Sequence, residues 1–187
     1  LAVMIHKAFF PGSFDPFTNA HLYVVNQARH IYTKVHILIS SNGRKKNMFT
    51  PQERADMINS LIKRYGWEEE VKVEIWDGMV TEYAADFLKM YDNVHIIRGL
   101  RFNNGAEEFD LASTYYEDFG LSHQGSVLQT IMIPVLNKDY VNISSSRVRE
   151  YLIRIKQNEN MWGYVEAYCP KPIFRYIKDS MGLKFYQ

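Results

Sequence analysis

The chain has one cysteine, Cys169, so no intramolecular disulfide can form and the dense cysteine framework of small secreted domains is excluded. That usage suits a reducing compartment, and the expectation is a cytoplasmic protein. Also missing is any run of about 18 apolar residues that could span a bilayer, and the N-terminus lacks the basic, apolar and small-residue segments of a signal peptide. Net charge is scarce as well. The 22 basic and 21 acidic residues leave +1, so no global field draws the protein to nucleic acid or to an anionic membrane. Affinity for phosphate has to come from local clusters. What the chain has in quantity is apolar surface: 47% hydrophobic against 23% charged residues over 187 positions, enough to bury a core. No repeat, low-complexity tract or linker divides it. The expectation is one domain over residues 4–187, with 160–187 a helical tail and Leu1-Ala2-Val3, ahead of Met4, a remnant preceding the natural start.

Short apolar runs alternate with segments of helical period. The runs predict strands at Lys7–Phe10, Val35–Ser40, Val71–Trp76, Val94–Ile97 and Leu128–Ile133. Helices are predicted near Ala20–Tyr32, Pro51–Tyr65, Thr81–Met90, Glu107–Leu121, Ser145–Lys156 and Pro172–Met181. Strands separated by helices imply right-handed crossovers, and hence a doubly wound α/β domain with a parallel sheet covered on both faces.

Such sheets bind ligands beyond the carboxyl ends of their strands. Four segments there are polar or basic. After the first strand comes Pro11-Gly12-Ser13-Phe14-Asp15-Pro16-Phe17-Thr18-Asn19-Ala20-His21, which turns sharply and opens a helix with Thr18 and His21 in its first turn. Unpaired amides at a helix N-terminus favour an anion, Gly12 permits close backbone approach, and Ser13 and His21 add a hydroxyl and an imidazole. The second strand is followed by Ser41-Asn42-Gly43-Arg44-Lys45-Lys46-Asn47, the fourth by Arg98-Gly99-Leu100-Arg101, and the fifth, after a loop, by Ile143-Ser144-Ser145-Ser146-Arg147-Val148-Arg149. Each has a plainer reading alone: a capped helix with a surface histidine, a solvated basic loop, a surface ion pair, a serine cap. Their order after successive strands, on one rim, predicts a polyphosphate site. Metal-ligand spacing is absent; Asp15 orders the turn rather than binding a cation.

The first and last of these segments resemble the signatures of the nucleotidyltransferase superfamily, Thr/His-x-Gly-His type, with its Rossmann-like fold. Adding Lys45-Lys46-x-Met48-Phe49-Thr50-x-x-Glu53-Arg54, Arg98-Gly99-Leu100-Arg101 and Glu108, the chain from about Ile5 to Leu152 resembles the bacterial phosphopantetheine adenylyltransferases. Arg-Gly-Leu-Arg is the discriminating motif. The resemblance implies adenylyl transfer from ATP to 4′-phosphopantetheine, giving dephospho-coenzyme A and pyrophosphate, with Mg²⁺ carried on ATP and a homohexameric assembly. It places His21, Lys45 and Arg98 at the reacting phosphates, Ser13 at the acceptor phosphate, and Asp77, Met79 and Val80 along the pantetheine arm. ATP would meet Gly12, Ser13, Phe14, His21, Gly99, Arg101, Glu108, Ser144, Ser145 and Ser146, with Lys46 as the solvated neighbour of Lys45. Two departures stand out. Ala20 replaces the signature glycine, and the stretch from Arg101 to Glu108 is one residue short, which leaves Glu107 or Glu108 open as the ribose acid. Alternatives are a nicotinamide-mononucleotide or other small-phosphate nucleotidyltransferase, which Arg149 and a stacking Phe102 would favour, and an inactive nucleotide-binding regulator.

Overall fold

The computed structural model describes residues 6–40, 46–89, 93–101, 103–123 and 128–185. Five strands, β1 (His6–Gly12), β2 (Lys34–Ser40), β3 (Val71–Trp76), β4 (Asn93–Leu100) and β5 (Gln129–Pro134), form one sheet in the order β3-β2-β1-β4-β5. Every neighbouring pair is parallel, with Phe10 opposite Ile37 and Phe9 opposite Ile96. The chain winds outward from β1 to β3, then returns to β4 on the other side of β1. Between β1 and β4 lies the switch point where such sheets open a crevice.

The helices are α1 (Asn19–Arg29), α2 (Pro51–Tyr65), α3 (Val80–Leu88), α4 (Gly105–Ser122), α5 (Ser145–Arg154), α6 (Met161–Tyr168) and α7 (Lys171–Phe185). Alternate strand residues build two cores. Ala8, Phe10, Ile37, Ile39 and Ile97 pack with α1, α2 and the C-terminal helices, whereas Phe9, Leu38, Val94 and Ile96 pack with Tyr83 and Ala84 of α3 and Phe119 of α4. Burial on both faces explains the unbroken apolar runs, and the doubly wound α/β fold is the one expected. No helix among the described residues is long and apolar enough to cross a membrane.

Helix boundaries follow their local signals to different degrees. Expected and observed bounds of α2 coincide because its ends are written locally. Thr50 Oγ1 accepts from the Glu53 amide at 3.2 Å, Glu53 Oε2 accepts from the Thr50 amide at 2.7 Å, Pro51 opens the first turn, and Gly66 stops it in the left-handed region at φ 68°. By contrast α1 ends at Arg29 instead of Tyr32. Tyr32 leaves the helix to bury its ring and bring its hydroxyl to His95 Nδ1 at 3.0 Å. The expected helical tail over 160–187 contains α6 as a separate helix, whose bounds the sequence reading did not resolve. Met161–Tyr168 lacks a side-chain cap and, at 8 residues, is too short to show a period.

Candidate active site

A cavity of about 450 Å³ opens at the carboxyl ends of β1 and β4, where the N-termini of α1, α4 and α5 converge. Helix N-termini around one space favour an anion there. The β1–α1 turn forms its floor. Phe14 adopts φ 48° and lays its ring over Gly12, where a Cβ would meet that ring at 2.9 Å, so the glycine is required by packing. The buried Asp15 carboxylate accepts the amides of Met48 at 2.8 Å and Phe49 at 2.9 Å and lies 3.6 Å from Arg149 of α5. Arg54, fully buried on α2, donates to the carbonyl of Ser13. Asp15 therefore ties the end of the basic loop to the turn, the ordering role expected of it.

His21 stands at the third position of α1 and lines the cavity. Its Nδ1 accepts the backbone N–H of Thr18 at 3.0 Å. An amide only donates, so Nδ1 is unprotonated and the ring proton sits on Nε2. Phe10, Phe14 and Phe17 surround the imidazole with centroids at 6.1, 5.1 and 5.3 Å. Burial, then the positive charges of Arg101 and Arg98, push its pKa down to about 3. His21 is a neutral hydrogen-bond donor.

Arg98 leaves β4 and forks onto Glu108 of α4, Nε to Oε2 at 2.6 Å and Nη2 to Oε1 at 3.1 Å, while its Nη1 donates to the Pro11 carbonyl at 2.6 Å. Arg101 donates through Nη1 to the carbonyl of Ile143 at 2.8 Å, lines the cavity and has no carboxylate partner among the described residues. Ser144 caps α5, accepting from the Arg147 amide at 3.3 Å; Ser145 donates to the Pro16 carbonyl at 2.9 Å; Ser146 accepts from Arg149 at 3.1 Å.

The structure thus brings Gly12, Ser13, Phe14, His21, Arg98, Gly99, Arg101, Glu108 and Ser144 to Ser146 to one lining. Lys45 and Phe102 fall outside the described residues. Lys46, read from sequence as a solvated neighbour, is exposed yet also lines the cavity. Asp77, Met79 and Val80 lie at the carboxyl end of β3 and the start of α3, on the same rim but not in the lining. Both acids left open, Glu107 and Glu108, line it, Glu107 exposed and Glu108 buried. Sequence reasoning missed Asn104. It is buried, lines the cavity and occupies the N-cap position of α4 without a side-chain cap bond; its only signal was an amide residue ahead of a helical segment four positions before Glu108.

A family model described as cytidylyltransferase-like matches residues 9–151. The phosphopantetheine adenylyltransferase of Leuconostoc mesenteroides is 33% identical over 94% of this chain and 96% of its own length. That of Streptomyces coelicolor is 34% identical over 78% of this chain and 83% of its own. The chain belongs to the cytidylyltransferase-like family, among the phosphopantetheine adenylyltransferases. Solved structures agree on the fold. The nicotinic acid mononucleotide adenylyltransferase of Plasmodium falciparum complexed with NaAD superposes with a TM-score of 0.63 at 17% identity, covering 94% of this chain and 96% of that one. At that identity the likeness speaks for the architecture and leaves the acceptor to the sequence relatives. Set in this family, the departure at the signature glycine is a mild one: the Ala20 methyl is buried on the first turn of α1, lines the cavity and disturbs neither the Thr18 nor the His21 contact.

Proposed function

We propose that this protein joins ATP to 4′-phosphopantetheine, forming dephospho-coenzyme A and pyrophosphate. The observation that carries this reading is the 33% identity to a curated phosphopantetheine adenylyltransferase across nearly the full length of both chains. An oxygen of the 4′-phosphate attacks the α-phosphorus of ATP; the new P–O bond forms as the α–β bridging bond breaks, and the electron pair leaves with pyrophosphate. The nucleophile is already anionic near neutral pH, so no general base is needed. What the protein must do is bring two anions together and stabilise the charge spreading over the α-phosphate and the leaving group.

The residues divide that work. In this reading the amides of α1 and α5 receive phosphate oxygens, His21 donates from Nε2, and Arg101 and Lys46 supply full positive charge. Lys45, the sequence neighbour of Lys46, is assigned to the reacting phosphates by the family resemblance. The Ser13 hydroxyl meets the acceptor phosphate, and Asp77, Met79 and Val80 flank the pantetheine arm where it leaves the cavity along the rim. Mg²⁺ arriving with the nucleotide would screen the triphosphate. The donor set suits a cation held by phosphate and water, since Asp15 and Glu108 are already engaged by arginines. A homohexamer in the cytoplasm completes the proposal, and light scattering of the purified protein reads the assembly.

Arg149 gives two of its five N–H donors to the carbonyl of Asp15 at 2.6 Å and to Ser146, a structural use that requires no nicotinamide acceptor. Calorimetric titration with 4′-phosphopantetheine and with nicotinamide mononucleotide, coupled to pyrophosphate release from ATP, tests the reading. Binding and turnover are expected with the first. Binding of the second alone would replace the acceptor and leave the adenylyl chemistry in place; no pyrophosphate with either would remove the enzyme assignment.

A further inference from the structure

Glu108 occupies a different position from that of a free ligand acid. Its side chain is 9% exposed and that of Arg98 18%, and both carboxylate oxygens face the guanidinium in a two-pronged pair. We propose that Glu108 is a positioning residue: it fixes the plane of Arg98 at the phosphate end of the cavity, and Asn104 fixes Glu108 in turn. The proposal rests on the adenylyl-transfer reading above and names the residue that aims one of its cations.

Three of the five N–H donors of Arg98 are committed, two to Glu108 and one to the Pro11 carbonyl at the end of β1. Those three bonds run to two different elements, so the side chain cannot rotate without breaking a charge-assisted bond. Two N–H groups remain for a ligand. Asn104 closes the arrangement. Its Nδ2 donates to Glu108 Oε1 at 3.2 Å and to the Gly99 carbonyl at 3.3 Å, while its Oδ1 accepts the Arg101 amide at 2.6 Å. One buried amide therefore joins the Arg98–Arg101 turn to the acid that holds Arg98.

Charge separates the two arginines of the motif. Among the described residues the Arg101 side chain meets a carbonyl and no carboxylate, and it attracts phosphate with its whole charge. Arg98 is neutralised by Glu108, so it adds little long-range pull on ATP and contributes donors aimed in a set direction. Donors held in place stabilise the charge that develops during transfer more than they stabilise bound substrate. Loss of Glu108 thus lowers kcat more than it raises the KM for ATP. A carboxylate acting on the ribose would do the reverse and would set the preference for ATP over deoxy-ATP.

The test is a double-mutant cycle on the full chain, Glu108→Gln, Arg98→Lys and the pair, with kcat and KM measured by pyrophosphate release from ATP and 4′-phosphopantetheine. Glu108→Gln is expected to lower kcat at least about tenfold, to change the KM for ATP less than about threefold, and to leave discrimination against 2′- and 3′-deoxy-ATP as in the parent. In the Arg98→Lys background Glu108→Gln should have almost no further effect, and Asn104→Ala should follow Glu108→Gln in direction. Thermal melts establish that each variant is folded, and the isosteric glutamine keeps volume and polarity. Additive effects in the cycle, or a loss of deoxy-ATP discrimination in Glu108→Gln, would overturn the positioning role while the parent enzyme still turns over. An inactive parent protein would overturn the adenylyl-transfer reading and this proposal with it.

Discussion

The backbone amide of Thr18 donates to Nδ1 of His21 at 3.0 Å, three residues along the same helix start. This one bond sets the tautomer of the histidine in the anion site, and two expectations follow from it.

Catalysis should not depend on the titration of His21. With its pKa near 3, the imidazole is neutral from pH 5 to pH 9, so kcat measured across that range should show no inflection near 6.5 from this residue. His21→Ala removes the Nε2 donor and should lower kcat about 10²-fold or more with the fold intact. Circular dichroism of the variant beside its pyrophosphate-release rate checks both halves, and a folded variant with near-parent turnover would exclude the assigned role.

Stability should carry the same signature with a defined sign. The folded-state pKa of His21 lies below the ordinary value of 6.5, so between about pH 6.5 and 3 the unfolded chain binds a proton that the native protein refuses. The stabilisation is complete above pH 6.5 and drains as pH falls towards 3. Replacing His21 with Gln should cut the proton uptake on unfolding in that window by about one, read from urea midpoints at several pH values. An unchanged slope would mean that the native imidazole accepts a proton there.

Asp15 holds the end of the basic loop to the β1–α1 turn. Asp15→Asn presents an NH₂ group to one of two backbone amides that both donate, Met48 and Phe49. The expected cost is about 2 kcal/mol in urea unfolding, the scale of a lost charge-assisted bond. A shift under about 0.5 kcal/mol, typical of a surface substitution, would contradict the clamp.

Gly99 is a packing requirement between β4 and α1. A Cβ there would come within 2.9 Å of Val24 Cγ2. Gly99→Ala should destabilise by about 1–3 kcal/mol through overpacking, and adding Val24→Ala should recover part of that loss. If the double variant is no more stable than Gly99→Ala alone, the clash is not with Val24.

Lys46 lines the cavity as an exposed cation on the far side from Arg101 in sequence. Lys46→Ala should raise the KM for ATP several-fold with a smaller change in kcat, since an exposed charge mainly assists capture. Lys45→Ala is expected to lower kcat more than ATP binding. Initial rates on the two variants compare them directly, and the reverse pattern would exchange the two lysines' roles.

Much of this protein is legible before any fold is known, wherever the determining interaction is local. Apolar alternation along β3 and the cap, proline and glycine of α2 act over one to four residues, which is why Val71–Trp76 is a strand and Pro51–Tyr65 a helix at the expected bounds. The parallel sheet follows from the order of those elements, and the polar segments after β1, β4 and β5 fall on one rim because parallel strands share a carboxyl edge. Side-chain partnerships are different. Glu108 meets Arg98 across 10 residues, Arg98 meets Pro11 across 87, and Arg149 meets Asp15 across 134. No short-range rule selects such partners, because each depends on where a crossover returns the chain. Thus the sequence by itself determined the fold class, the family and the gathering of polar and basic segments on the carboxyl rim. Only the tertiary structure decided that Glu108 is spent on Arg98, that Asn104 stands behind it, and that His21 is neutral. Those facts come from burial and long-range contact, which exist only once the chain has closed on itself.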